Sequence, residues 1–351
     1  MMNKSSISHN IMSEPENNRE QKAFVSVVTP AFNEAKNLPM LYPDLRSVLD
    51  RISKKWEWVV IDDHSTDETF SVLTHLAAQD DRIRGFRLSR NSGAHIAIAC
   101  GLNHSLGDCA VVISADLQDP PDMLPDLVRE WNNGAQIVWA SRARREGVSK
   151  GSLIIARLYR WMMHHLVGLK EMPPTGADYF LVDRVVLDAF RSFNEINVNI
   201  VALFTWMGFR QATISYTKRA RTYGKSSWSL GRKVKLVLDS IMSFSYLPIR
   251  LMSYSGLTIA FLGFVYAAVV IAYTIKGNPI SGWASLMVVV LIFSGVQMLM
   301  LGTLGEYLWR TLSEARNRPR YTIEAFIGKH KKNRTVADEN PSDEVTTSEK
   351  N

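Results

Sequence analysis

Residues 111–121 read Val-Val-Ile-Ser-Ala-Asp-Leu-Gln-Asp-Pro-Pro, an apolar run that passes straight into Asp116, Gln118 and Asp119 and stops at Pro120 and Pro121. A short apolar run closed by turn residues reads as a strand. A strand end of this kind presents carboxylates to a divalent cation without burying them unpaired. Carboxylate and amide oxygens suit Mg²⁺ or Mn²⁺, ions that usually bridge substrate phosphates.

Outward from this stretch, apolar runs alternate with amphipathic ones. The runs are Phe24–Thr29, Trp56–Ile61, Ile83–Leu88, Cys109–Ser114 and Gln136–Ala140, with helical patterns at Leu38–Ile52, Thr66–Ala78, Ala94–Leu106 and Pro121–Asn132. The alternation predicts an α/β domain with a mainly parallel sheet and helices on both faces. Functional residues of such sheets lie at the carboxyl ends of the strands. The first strand ends in Thr29-Pro30-Ala31-Phe32-Asn33-Glu34 and the second in Asp62-Asp63-His64-Ser65. Ser65 and Glu68 have the spacing of a capping box, which predicts a helix start there and free N–H groups beside Asp62 and Asp63. Those acids either bind a ribose or base edge or merely cap the helix. Three polar strand ends on one sheet edge favour a single site.

Residues 251–275 and 277–305 contain no charged side chain. Each is long enough to cross a bilayer, which takes about 20 apolar residues. Residues 251–275 and 283–305 are therefore expected to be transmembrane helices joined as a hairpin. Arg232, Lys233, Lys235 and Arg250 precede it, and Arg310, Arg316, Arg318 and Arg320 follow. This charge distribution predicts an inner (plasma) membrane protein with its catalytic domain and both termini in the cytoplasm. Two amphipathic stretches, about 152–169 and 229–250, are expected to lie in the membrane interface. The first could equally be an ordinary core helix. The adjacent His164 and His165 read as interfacial or packing residues rather than ligands. Residues 1–22 and 330–351 are polar and poor in aromatics and read as disordered tails, with 23–228 as the catalytic domain and 306–329 as a cytoplasmic extension. No apolar leader is visible in the first tail.

The formal charge of +7 over 351 residues suits an anionic partner. Nucleic acid is disfavoured, because the positive charge concentrates beside the membrane segments. Cys100 and Cys109 are the only cysteines, so neither a disulfide framework nor a zinc spacing exists and a reducing face is expected.

The motifs VVTPAFNEAKNL, VVIDDHSTDET, LSRNSGAHIAIACGL, VVISADLQDPPDMLPDLV, GADYFLVDR, WMGFRQ and RTYGKSSWSLGRKVKLVLDSIMSFS occur in this order, followed by GEYL and NRPRY. In these motifs the segment from about 24 to 330 resembles the family 2 glycosyltransferases of the GT-A (Rossmann-like) fold. Its closest likeness is to their polyprenyl-phosphate group, which includes dolichol-phosphate mannose synthase and bactoprenol glucosyltransferases. The resemblance implies that Pro30, Phe32, Glu34, Asp62 and Asp63 line the nucleotide of a nucleotide-sugar, and that Asp116 and Gln118 hold the metal. It implies Arg142 at the substrate phosphates, and Arg221 and Lys225 on the diphosphate or the acceptor phosphate. Asp116, Asp178 and Asp119 are the candidate catalytic residues; Asp178 would orient acceptor or sugar, or simply cap a helix, and Asp119, before Pro120 and Pro121, has the alternative of simply capping the following helix. Two departures stand out: relatives place Asp where this chain has Ser114, and Lys where it has Ser227.

The resemblance further implies a UDP-sugar donor, an undecaprenyl phosphate acceptor, inversion at the anomeric centre and a homo-oligomer, with a tetramer among the options. The apolar stretch Arg320–Ile327 would add a strand to a neighbouring subunit's sheet. Two other readings stand beside this one. A processive polysaccharide synthase would carry Gln-x-x-Arg-Trp, where this chain has Arg157-Leu-Tyr-Arg160-Trp161 and too few membrane helices for a polymer channel. A non-catalytic membrane scaffold would have no need of Asp63, Asp116 and Arg142.

Overall fold

A computed structural model of the chain describes residues 23–142, 161, 163–165, 169, 172, 173, 178–193, 199–217, 247–275 and 282–328. The catalytic part begins with β1 (Phe24–Ala31), α1 (Leu38–Ile52), β2 (Lys55–Asp62), α2 (Thr69–Gln79), β3 (Ile83–Leu88), α3 (Ala94–His104) and β4 (Cys109–Val112). A 3₁₀ turn (Pro121–Met123), α4 (Leu124–Asn132), β5 (Ile137–Arg142), β6 (Tyr179–Asp183), α5 (Arg184–Arg191), α6 (Ile200–Trp206) and β7 (Gln211–Tyr216) follow. Two long helices, α7 (Leu247–Ile275) and α8 (Trp283–Ala315), precede the last strand, β8 (Ile323–Ile327).

The strands form one sheet in the order β7-β5-β6-β4-β1-β2-β3-β8. β6 and β8 run against the other six. Alternate residues of the central strands face opposite layers, and both layers are apolar. Val25, Val27, Trp58, Val60 and Val111 pack with α1, α2 and α4, while Val28, Val59, Ile61 and Val112 pack with α3, α5 and α6. Burial on both faces is what a mainly parallel sheet requires, and it explains the near-continuous apolar runs in the sequence. Gly101 lets α3 approach β1 closely, since a methyl group there would run into the Val28 side chain.

One charged pair is sealed in the lower part of this core. Arg84 donates to Glu57 at 2.8 Å, and both are almost fully buried. Glu57 also accepts from the Ser26 hydroxyl and from Leu106 N–H, both at 2.6 Å. Breaking such a pair leaves an uncompensated buried charge. Arg84→Leu is therefore expected to cost about 3 kcal/mol of stability, read as a lowered midpoint in denaturant unfolding; an unchanged midpoint would show that water or another cation neutralises Glu57.

The structure corrects two expectations and gives the last strand a partner. The helix after β2 starts at Thr69, not at Thr66, because Ser65 does not cap it: the Ser65 hydroxyl accepts from Asn33 N–H at 2.9 Å instead. The last strand forms and, within the single chain, pairs antiparallel with β3, matching Phe326 with Phe86. The helix expected over 283–305 continues to Ala315, carried by an i,i+4 pair between Arg310 and Glu306 at 2.9 Å. It stops where Asn317 turns left-handed (φ 44) ahead of Pro319.

Within α7, Ile249–Ala272 is long and apolar enough to cross a membrane, and none of it is buried. Residues 247–250, expected in the preceding amphipathic segment, belong to this same helix. α7 and α8 meet where Gly256 lies against Met300, a methyl group on the glycine coming 3.4 Å from the Met300 Cε. Of the stretch 152–169, Trp161, Met163–His165 and Leu169 are described, and all but Leu169 are helical: Met163 and Leu169 are buried, and the exposed Trp161 stacks on His165.

Candidate active site

The carboxyl ends of β4, β1 and β2 lie side by side in the sheet, so the three polar strand ends share one edge. Pro30 and Ala31 are in register with Ile61 and Asp62. The two loops that leave these strands are stitched together. Asp63 N–H donates to Ala31 O at 2.9 Å, Thr66 N–H to the Asn33 side chain at 2.9 Å, and Glu34 N–H to the Thr69 hydroxyl at 2.8 Å. Asn33 holds a left-handed backbone (φ 59), which asparagine tolerates. Phe32 projects from this turn and is exposed. Glu34 accepts from the Asn37 side chain.

Asp62 is fully buried, and one of its oxygens accepts from Ser65 N–H at 2.9 Å. Asp63 accepts from Ser92 N–H at 2.7 Å and from Gly93 N–H at 2.8 Å, which ties the β2 loop to the start of α3. Burial raises the Asp63 carboxyl above its usual range, while the two amide donors oppose the shift.

After β4 the chain turns at Leu117, a left-handed residue (φ 61), and Gln118 N–H donates to the Asp116 carboxylate at 3.2 Å. Asp119 has a different environment. It is fully buried, and its two oxygens accept from the Ser114 and Tyr216 hydroxyls, each at 2.5 Å. Burial and the neighbouring Asp119 push the Tyr216 hydroxyl far up, so it stays a donor. Asp119 thus fastens β7 to the β4 loop, and Ser114 is the other half of that fastening.

Arg142, at the end of β5, donates to the Asp178 carboxylate at 2.5 Å, immediately before β6. Beside Asp178, at the start of α3, lies His95, a residue the sequence motifs contain but do not mark. Its Nδ1 is buried without a hydrogen-bond partner; burial lowers the ring's pKa and Asp178 opposes that shift. Arg221 and Lys225 lie outside the described residues, as does Ser227.

Among the described residues no group of three or more His, Cys, Asp or Glu side chains could hold a metal alone. The donor set at the β4 end still fits a hard cation, because Mg²⁺-type sites are commonly built from one or two carboxylates plus substrate phosphate oxygens. Asp116, slightly accessible at 8 %, would supply the carboxylate and Gln118 an amide oxygen, whereas both Asp119 oxygens already accept from hydroxyls.

Residues 26–180 match the description Glycosyl transferase family 2. Among curated proteins, the uncharacterized glycosyltransferase YkcC of Bacillus subtilis is 33 % identical over 304 residues, spanning 86 % of this chain and 94 % of that one. The bactoprenol glucosyl transferase of Shigella phage SfII is 33 % identical, with 85 % of this chain and 97 % of that one covered. The prophage bactoprenol glucosyl transferase homolog of Escherichia coli is also 33 % identical, over 85 % and 98 %. Among solved structures, glucosyl-3-phosphoglycerate synthase from Mycobacterium tuberculosis, in complex with Mn²⁺, UDP and glucosyl-3-phosphoglycerate, is 20 % identical. It covers 64 % of this chain and 80 % of its own at a TM-score of 0.48. The chain belongs to glycosyltransferase family 2, with a mainly parallel sheet, and is a glycosyltransferase.

Proposed function

We propose that this enzyme moves a sugar from a UDP-sugar to undecaprenyl phosphate at the cytoplasmic membrane face, with inversion and with Mg²⁺ or Mn²⁺. The observation that carries the reading is the pairing of one sheet edge bearing Asp62, Asp63, Asp116 and the Arg142–Asp178 pair with an apolar, wholly unburied helix at Ile249–Ala272. The acceptor class follows the bactoprenol glucosyl transferases among the relatives. Two membrane spans, α7 and α8, complete the proposed topology, with both termini cytoplasmic, and the enzyme works as a homo-oligomer.

Each residue then has a task. Pro30, Phe32, Glu34, Asp62 and Asp63 cradle the nucleotide. Asp116 and Gln118 would hold the metal, which would supply positive charge beside the leaving diphosphate. Arg142 exchanges its ion pair with Asp178 for the diphosphate, and Arg221 and Lys225 add positive charge at the diphosphate or the acceptor phosphate. Asp178, released from Arg142, orients the acceptor or the sugar. The lipid phosphate is already an anion, so transfer depends on positioning more than on a strong general base. Basic residues beside the membrane helices draw that phosphate in.

The test is a donor panel. Purified protein in mild detergent, with Mg²⁺ or Mn²⁺ and undecaprenyl phosphate, is offered radiolabelled UDP- and GDP-sugars. Label entering the organic phase with a UDP-sugar is expected; label from a GDP-sugar alone would overturn the nucleotide assignment, and none with any donor would overturn the acceptor.

A further inference from the structure

The loop that bears Asp63 is held from an unexpected direction. His64 keeps φ 60, a left-handed backbone that is strained for a bulky side chain. Its Nδ1 lies 3.1 Å from Leu88 O and 3.3 Å from Glu324 Oε2. Both neighbours of that nitrogen are acceptors, so it carries a proton. Arg87 stands next to it. Its Nε is 3.2 Å from Glu324, its guanidinium donates to Ser65 O at 3.3 Å, and it lies 3.6 Å from Asp62 Oδ2. That Asp62 oxygen is buried and accepts no hydrogen bond among the described residues, so the Arg87 charge is what balances it.

Asp62, Arg87, Glu324 and His64 therefore form one chain of charge that brackets Asp63. Glu324 is 237 positions from Arg87 and sits on β8, the strand that follows the membrane helices. That strand is anchored along its length: Ser89 N–H donates to Thr322 O at 2.9 Å, the Asn103 side chain donates to the Tyr321 hydroxyl at 3.2 Å, and Phe326 packs on Phe86 at 5.0 Å. Arg320 donates to Phe193 O ahead of it.

We infer that Glu324 is a positioning residue for the donor nucleotide: acting through Arg87 and His64, it fixes the loop of Asp62 and Asp63, so that the strand after the membrane helices sets donor affinity. The inference rests on the reading of Asp62 and Asp63 as donor-binding residues. An ion pair as exposed as Arg87–Glu324 adds little to global stability. Its loss should instead release the Arg87 guanidinium and one partner of the strained His64, and so appear in nucleotide binding.

The experiment uses the full chain in detergent, titrating UDP with Mn²⁺ by calorimetry and measuring donor KM and kcat. Glu324→Gln is expected to weaken UDP binding and raise donor KM three- to tenfold, with kcat within twofold and thermal unfolding unchanged. Glu306→Gln, which removes an exposed ion pair from α8 far along the chain from this loop, should leave UDP binding as in the wild type. In an Arg87→Gln background the Glu324 substitution should add less than it does in the wild type, as expected for residues that act partly through one another. Wild-type affinity in Glu324→Gln, beside a wild-type protein that binds UDP, overturns this inference alone. A wild-type protein that binds neither UDP nor GDP overturns the donor-site reading, and this inference with it.

Discussion

Asp116→Asn is expected to lower sugar transfer by about a thousandfold or more. The substitution keeps the size of the side chain and an oxygen that can accept from Gln118 N–H, but removes the one charged donor proposed for the cation. Asp119 is fully buried with both oxygens accepting from the Ser114 and Tyr216 hydroxyls, and Ser114 brings no charge. A site with a single protein carboxylate loses several kcal/mol of charge stabilisation when that carboxylate goes, and each 1.4 kcal/mol is about a factor of ten in rate. Since asparagine keeps the shape of the side chain and the acceptor for Gln118 N–H, thermal unfolding should stay within about 2 °C of wild type, a shift well below 1 kcal/mol. Wild-type turnover by a folded Asp116→Asn protein would refute the metal assignment.

The second large effect is expected at Asp178. Asp178→Asn retains an oxygen for Arg142 but removes the charge that holds the guanidinium at 2.5 Å and orients the incoming group. If Asp178 acts on the acceptor or the sugar, kcat should fall about a hundredfold, the scale of a misplaced reactant, while donor KM changes less than threefold. If instead the residue only stores Arg142 between turnovers, donor KM should drop, because the diphosphate no longer competes with a carboxylate. A changed KM at constant kcat would move Asp178 from the reaction to donor binding.

The sequence made much of this legible. Five of the parallel strands and the helices α1, α3 and α4 follow from apolar periodicity, since each buries a continuous stripe or run against the sheet. The site edge was legible for the same reason: β1, β2 and β4 each pass from apolar to acidic or amide residues where the sheet stops. What failed is pairing at a distance. Nothing local in Tyr179–Asp183 says that it slots antiparallel between β4 and β5, and nothing in Ile323–Ile327 says that its partner within the chain is β3. Register of that kind is decided by which edge the tertiary fold leaves open. Ser65 misled because a hydroxyl with capping spacing was claimed by Asn33, from a loop 32 residues away. The burial of Asp119 was not legible, because it depends on Tyr216, on a strand added 97 residues later. His95 went unmarked because a histidine inside a helical pattern carries no signal until Asp178 is placed beside it.

The most direct test of the account is the product itself. After incubation of the purified enzyme with a UDP-sugar, Mn²⁺ and undecaprenyl phosphate, phosphorus NMR of the extracted lipid distinguishes a phosphomonoester from a phosphodiester. Attack of a lipid phosphate oxygen on the anomeric carbon forms the new C–O bond as the bond to UDP breaks. The account predicts conversion of the lipid signal to a glycosyl phosphodiester, with one equivalent of UDP released and the anomeric configuration opposite to that of the donor. UDP release with the lipid phosphate unchanged, or a product of retained configuration, would contradict it.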